Sequence, residues 1–183
     1  MSLKTRASKV KRNLEHAEAR EIGPWHLSKR GPLEESEVDD IQNAIDKGLV
    51  RIARRAKENA FAPHSDYPVG ASLLTDKGVF VGANVEVSAI QPIHAEQLAI
   101  SNAVTEGQAE KFYTMAVSAG RGPHGKEGPC GLCQHTISQF TDELRILEDR
   151  GEDKHPSEFS LSELIGDAYS ASSRYFDEVV DSK

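Results

Sequence analysis

Three side chains in this 183-residue sequence could hold a metal ion together, and a fourth could work beside it. His94-Ala95-Glu96 supplies an imidazole and a carboxylate. Pro129-Cys130-Gly131-Leu132-Cys133 supplies two thiols, and these are the only 2 cysteines in the chain. Two thiolates and one imidazole make a three-ligand set for zinc, which leaves a fourth tetrahedral position for water, as catalytic rather than structural sites do. Cys130 and Cys133 share a face if their segment is helical. Glu96, two residues past His94, cannot share that residue's helical face, so it reads as a proton carrier beside the metal rather than a ligand. Taken alone, Cys-x-x-Cys suits a thiol redox pair equally well, and a lone His-x-Glu carries almost no information.

What favours the metal is the conjunction of both halves, in this order, each at the start of a predicted helix and with Pro before the first Cys. His-x-Glu followed by Pro-Cys-x-x-Cys is the signature of zinc-dependent nucleobase deaminases, in which the Glu moves protons and does not bind the metal. Helix N-termini carry partial positive charge, which favours thiolates at Cys130 and Cys133. Two thiolates and a neutral imidazole balance the charge of Zn²⁺, which leaves the metal a strong enough Lewis acid to ionise water near neutral pH.

The elements that must position these groups are legible around them. Val38, Ile41, Ile45, Leu49, Ile52 and Ala56 recur at helical spacing, with Ser36 and Asp39 as a start signal. Two apolar runs, 68–74 and 79–85, flank Asp76-Lys77-Gly78 and read as a β-hairpin. A second helix is predicted from His94 to Gly107, a buried strand over 113–119, a loop over 120–128, and a third helix with Pro129 at its head. Residues 144–147 read as a short strand and 160–180 as a helix with Leu161, Leu164, Ile165, Ala168 and Tyr169 on one side. That order predicts an α/β fold: a single three-layer α/β/α domain with a mixed sheet.

Composition sets the outer bounds. The formal net charge of −7, with 28% charged residues, argues against a general binder of nucleic acid backbones. A close cysteine pair and the lack of an apolar run long enough for a membrane span or secretory core predict a cytoplasmic protein with no membrane partner. Lys4, Arg6, Lys9, Lys11 and Arg12 precede the first acid, Glu15. A solvated tail explains them more simply than a targeting peptide or an anion-binding arm does.

Further segments extend the likeness beyond the zinc signature, and the chain resembles the zinc-dependent cytidine deaminase family in its His/Cys/Cys form. Ala62-Pro63-His64-Ser65-Asp66-Tyr67-Pro68-Val69-Gly70-Ala71 is similar to the family's x-P-Y-S-x-F-P-V-G-A, and Asn84-Val85-Glu86 matches its N-[IV]-E. Pro129 to Cys133 agrees with P-C-G-x-C, and Leu161-Ser162-Glu163-Leu164-Ile165 is similar to L-x-E-L-[LI]-P. The likeness spans roughly residues 36–170. It implies a cytidine deaminase-like zinc domain over 34–183, preceded by an irregular extension over 1–33.

The resemblance also implies roles. His94, Cys130 and Cys133 bind Zn²⁺, and Glu96 is catalytic, carrying a proton from zinc-activated water to N3 of cytosine and then to the departing amine. Asn84 and Glu86 hold the ribose hydroxyls, Tyr67 packs on the base, the Ala95 N–H meets the base carbonyl, and the Gly128 carbonyl accepts from the leaving amino group. The implied reaction is hydrolytic deamination of cytidine or deoxycytidine to the uracil nucleoside and ammonia, a step of pyrimidine salvage. A free nucleoside, rather than nucleic acid, is then the partner, and the family's shared active sites imply a homo-oligomer, with a tetramer ahead of a dimer.

Some positions depart from the pattern. Tyr67 stands at a usual Phe, His64 at a usual Tyr, Gln134-His135 at a usual Arg-Gln, and Ile90 near a usual aromatic, in a segment about one residue shorter than the common spacing. They bear on which nucleoside is taken. A deaminase of a modified nucleoside or of a base in nucleic acid, and a zinc-stabilised binding homologue without turnover, are the alternatives.

Overall fold

The computed structural model describes residues 34–88, 91–119, 128–151 and 154–165. The N-terminal extension, Ile90, most of the 120–128 loop and the chain beyond 165 lie outside the described residues. By compactness the chain divides into Met1–Lys47 and Gly48–Lys183, and the boundary falls inside the first described helix.

That helix, α1, runs over Glu35–Lys57. It begins one residue before Ser36, where the backbone N–H of Glu34 donates to the Glu37 carboxylate at 3.0 Å. Acidic Glu35 and Glu37 open it and Arg54, Arg55 and Lys57 close it, the order the helix dipole favours. In its second half the buried face is Leu49, Val50, Ala53 and Ala56. Ile52, expected on the apolar stripe, is exposed, and Ala53 beside it is fully buried instead.

The hairpin forms as its turn residues require. β1 (Val69–Thr75) and β2 (Gly78–Ala83) pair antiparallel, with Leu74 opposite Val79 and Leu73 opposite Phe80. Two short strands, β3 (Val85–Glu86) and β4 (Pro92–Ile93), form a separate ribbon that leads into His94. Helix α2 (Ala95–Thr105) and strand β5 (Phe112–Ala119) follow, and β5 pairs antiparallel with β1. Helix α3 (Gly131–Ser138) precedes β6 (Arg145–Glu148), which is parallel to β5. An antiparallel edge strand, β7 (Ser157–Ser160), and helix α4 (Leu161–Ile165) complete the described chain.

The five-stranded sheet has the order β2-β1-β5-β6-β7 and is mixed, as the sequence predicts. Its two faces can be read from β1, where successive side chains alternate. Ser72 donates to the carbonyl of Leu49 on α1 at 2.9 Å. Ala71 and Leu73 point the other way, into a core with Ala99, Ile100, Met115, Val117, Ile137, Ile146 and Leu161. Helices α2, α3 and α4 therefore cover one face and the second half of α1 the other.

Two elements differ from the sequence expectation. The predicted 160–180 helix starts at Leu161, with Ser160 as its cap. The Glu163 N–H donates to Ser160 Oγ at 3.2 Å and the Ser160 N–H donates to the Glu163 carboxylate at 2.8 Å. Pro129 is not the first residue of α3. Cys130 is the N-cap, with φ −65° and ψ 163°, so Pro129 lies one position outside the helix.

Close packing places α2 on the sheet. A Cβ at Gly82 would come within 2.2 Å of the Ala95 carbonyl oxygen and 2.6 Å of the Ala99 nitrogen. Opposing backbone cannot yield as a side chain would, so Gly82→Ala is expected to cost at least about 1–3 kcal/mol by overpacking. Gly48, in α1, has nothing within 4 Å of such a Cβ, and Gly48→Ala is expected to gain about 0.5–1 kcal/mol. Urea unfolding of the two variants checks both signs.

Arg54 braces α1 against the end of β6. Its Nε and Nη2 donate to the two carboxylate oxygens of Asp149 at 2.6 and 2.5 Å, and Ser118 Oγ donates to the same carboxylate at 2.8 Å. Burial opposes the charge on Asp149, but hydrogen bonds from Arg54, the Gly151 N–H and Ser118 outweigh it and hold the pKa at about 2. A depressed folded pKa gives stability that is fully present above the unfolded value near 3.9 and is lost as pH falls through 2. Arg54→Met is expected to lose about 1–3 kcal/mol at pH 7. Urea unfolding across pH 4 to 2 should show the gap to the unaltered protein closing.

Candidate metal centre

The two sequence pieces meet. His94 is the N-cap of α2 and Cys130 the N-cap of α3, with Cys133 one turn further on and fully buried. His94 Nδ1 lies 3.4 Å from Cys130 Sγ and 3.3 Å from Cys133 Sγ, and the three donor atoms lie within 4.8 Å of one another. Zinc with ordinary tetrahedral bonds would place sulfur and nitrogen about 3.5 Å apart, so the trio fits the ion, and it does so through Nδ1. His135, exposed on α3, is not part of the trio.

Charge at the trio fits a cation as well. Cys130 is the readily ionised thiol: hydrogen bonds from the Cys133 thiol and the His94 ring bring its pKa down to about 3, against the effect of burial. Its contact with Cys130, with burial and the nearby Glu96 charge, pushes the Cys133 thiol up. The hydrogen bond to Cys130 raises His94, although burial works against it. The first turns of both helices lie at this corner, and the positive ends of their dipoles favour a thiolate-rich site.

Glu96 is only 5% exposed, and burial drives its pKa up. Its carboxyl group shares a hydrogen bond with the Cys133 thiol, beside the trio but outside the ligand set. A carboxyl in that position can serve as a proton carrier. Ala95, the first residue of α2, is fully buried, and among the described residues its backbone N–H has no acceptor. Buried donors are seldom left so, and this one can take a ligand carbonyl.

Asn84 and Glu86 are both buried, at 8% and 7% exposure, and their side chains hold the 64–69 segment. Asn84 Oδ1 accepts from the Val69 N–H at 2.7 Å, and its Nδ2 donates to the Tyr67 carbonyl at 3.0 Å. One oxygen of Glu86 accepts from the N–H groups of His64 and Ser65, at 2.7 and 3.1 Å, and the other accepts from Ser65 Oγ. The Ser65 hydroxyl and the two N–H bonds lower the Glu86 pKa despite burial. Asn84 keeps one N–H and one lone pair, and Glu86 keeps acceptor capacity toward a hydroxyl.

Tyr67 is half-buried, and its phenol pKa is raised by burial and by the charges of Glu148 and Glu96. The phenol therefore lies on the same side as the catalytic candidate. Gly128, with φ 99°, precedes Pro129 at the entry to α3.

Gln97, which sequence reasoning passed over, joins the two halves. Its Oε1 accepts from the His94 N–H at 3.3 Å, and its Nε2 donates to Thr136 Oγ1 on α3 at 3.1 Å. Only its place three residues after a helix cap hinted at a role. Gln134 holds the entry to α3, donating from Nε2 to the Pro129 carbonyl at 2.7 Å.

A metal site with a protonatable carboxyl at its flank, set on an α/β sheet, is that of a zinc-dependent hydrolase. Among known proteins, residues 43–147 match the family described as the cytidine and deoxycytidylate deaminase zinc-binding region, and the chain belongs to that family. A relative from Sporosarcina psychrophila named cytidine deaminase is 37% identical over 94 residues, covering 50% of this chain and 67% of its own. One of the same name from Halalkalibacterium halodurans is 31% identical over 127 residues, covering 67% and 92%. The crystal structure of cytidine deaminase from Burkholderia pseudomallei is 32% identical with a TM-score of 0.58, covering 67% of this chain and 97% of that one. The α/β fold, the enzyme class and zinc as cofactor follow. No described helix is long and apolar enough to cross a membrane.

The trio predicts about one zinc per chain in purified protein. Cys133→Ala is expected to abolish stoichiometric zinc, and Gln97→Leu to weaken zinc affinity about 10-fold or more by releasing one helix start from the other. Competition with a chelator, read by metal analysis, measures both.

Proposed function

We propose that the chain hydrolyses cytidine and deoxycytidine to the uracil nucleosides and ammonia. The observation that carries this reading is the buried Glu96 carboxyl, its pKa raised by burial, against a His/Cys/Cys trio. A zinc ion held by His94, Cys130 and Cys133 supplies the Lewis acidity that makes water a nucleophile near neutral pH. Glu96 takes the proton that water gives up and delivers it to N3 of the ring as C4 is attacked; it then takes the proton of the new hydroxyl on C4 and passes it to the departing amine, so that the C4 carbonyl forms as ammonia leaves. The Ala95 N–H donates to the carbonyl oxygen at C2, and the Gly128 carbonyl accepts from the amino group at C4. Tyr67 lies along the base.

Asn84 and Glu86 support a sugar-bearing substrate, since each keeps hydrogen-bonding capacity after bracing its loop. The net charge of −7 also weighs toward a free nucleoside over a base within nucleic acid. Family relationship supports a homo-oligomer, a cytoplasmic site of action and a part in pyrimidine salvage.

Loss of cytidine's ultraviolet absorbance on conversion to uridine, followed over a panel of cytosine nucleosides, tests the activity. Glu96→Ala is expected to keep zinc and lose at least about 10²–10⁴-fold in kcat. Full activity in that variant would sink the mechanism.

A further inference from the structure

The corner that leads into α3 uses up nearly all its backbone groups. Gly128 donates its N–H to the Glu148 carboxylate at the end of β6. Pro129 has no N–H, and its carbonyl is taken by Gln134 Nε2 at 2.7 Å. Gln134 also donates its own backbone N–H to the Cys130 carbonyl at 2.9 Å. Among the described residues, the Gly128 carbonyl has no donor. One acceptor is thus left at a corner two residues from a metal ligand.

That carbonyl is poorly constrained by its own residue. Gly128 sits at φ 99°, where side-chain-bearing residues are strained, and glycine has the widest conformational freedom of any residue. Proline after it fixes the next φ but not the Gly128 torsions. The N–H and the carbonyl of Gly128 lie in different peptide planes joined by its φ and ψ, so the carbonyl is aimed only when both sides are held: Glu148 holds the plane before Gly128 at its N–H, and Pro129, whose carbonyl Gln134 holds, fixes the side after it. β6 is a rigid mount for Glu148, being hydrogen-bonded on both sides, to β5 and to β7. The charge of Glu148 also reaches the Tyr67 phenol, which places the carboxylate at the wall of the same site.

We propose that Glu148 is a positioning residue for recognition of the base: by holding the Gly128 N–H it aims the Gly128 carbonyl at the amino group on C4. The proposal rests on the cytidine reading above. Glu148 acts through Gly128 and reads the amino group only indirectly. The carboxylate serves as an acceptor, so a glutamine at the same position keeps the contact through its amide oxygen. A leucine leaves the N–H without a partner and lets the peptide turn. Uridine, which carries an oxygen at C4 in place of the amino group, has nothing to donate to this carbonyl.

The test uses the zinc-loaded full chain with Glu148→Leu and Glu148→Gln, and Glu148→Ser in place of the leucine variant should that one not fold. KM and kcat are measured for cytidine, and the dissociation constant for uridine is measured by calorimetry. For Glu148→Leu the KM for cytidine should rise about 10-fold with kcat nearly unchanged, the pattern for loss of a contact made equally in ground and transition states. Uridine affinity should stay as in the unaltered protein, and Glu148→Gln should restore the KM to within about 3-fold. An unchanged KM in Glu148→Leu, a parallel loss of uridine affinity, or a glutamine variant as impaired as the leucine one would overturn the proposal. An unaltered protein that converts no cytosine nucleoside would instead overturn the functional reading, and the proposal with it.

Discussion

Two helix starts must meet within the span of one metal's bonds, and the described structure is arranged to hold them there. A cap residue is not itself helical, so its side chain goes wherever the first turn behind it is placed. His94 and Cys130 are both caps. Their mutual distance therefore depends on how α2 and α3 lie on the sheet. Gly82 lets α2 settle with its first turn almost on the β2 backbone, and Ile137 anchors α3 in the same core. Gln97 then ties the two starts by hydrogen bonds rather than by packing, which fixes direction as well as distance.

Electrostatics complete what packing begins. Burial, and then the Cys130 charge, drive Glu96 up, and the contact with ionised Cys130 does the same to Cys133, while Cys130 itself ionises easily. Such a corner is short of positive charge, and helix N-termini supply only part of it. A dication would resolve the conflict by stabilising both thiolates, which under the proposed function leaves Glu96 to carry the proton. The same low-polarity surroundings that penalise a charge on Glu96 make its proton useful.

Sequence pattern reached most of the architecture and the centre of the site. Periodic apolar residues located α1, the Asp76-Lys77-Gly78 turn located the hairpin, and the motif spacing brought His94, Cys130 and Cys133 together on paper as they are in space. β7 escaped notice because Ser157, Glu158 and Ser160 give no strand alternation; pairing with β6 alone makes it a strand. β3 and β4 are too short to have a period. Gln97 and Glu148 were invisible for another reason. Their partners lie 39 and 20 residues away, and neither contact follows from any local spacing. Asn84 and Glu86 were singled out by their motif, but only the structure shows that both brace the 64–69 segment.

That double use of Glu86 has a thermodynamic side. Ser65 already occupies one oxygen of the carboxylate with its hydroxyl, so under the proposed nucleoside reading a sugar hydroxyl arriving there would exchange one hydroxyl for another or share the oxygen with it. Exchange of like for like gains little enthalpy, and recognition at this point rests on shape and on how firmly the segment is held. On that reading sugar and segment would act as linked ligands of one carboxylate. Whatever free energy the sugar draws from a well-ordered segment, the segment draws back from the bound sugar, by the reciprocity that governs any two equilibria sharing a group.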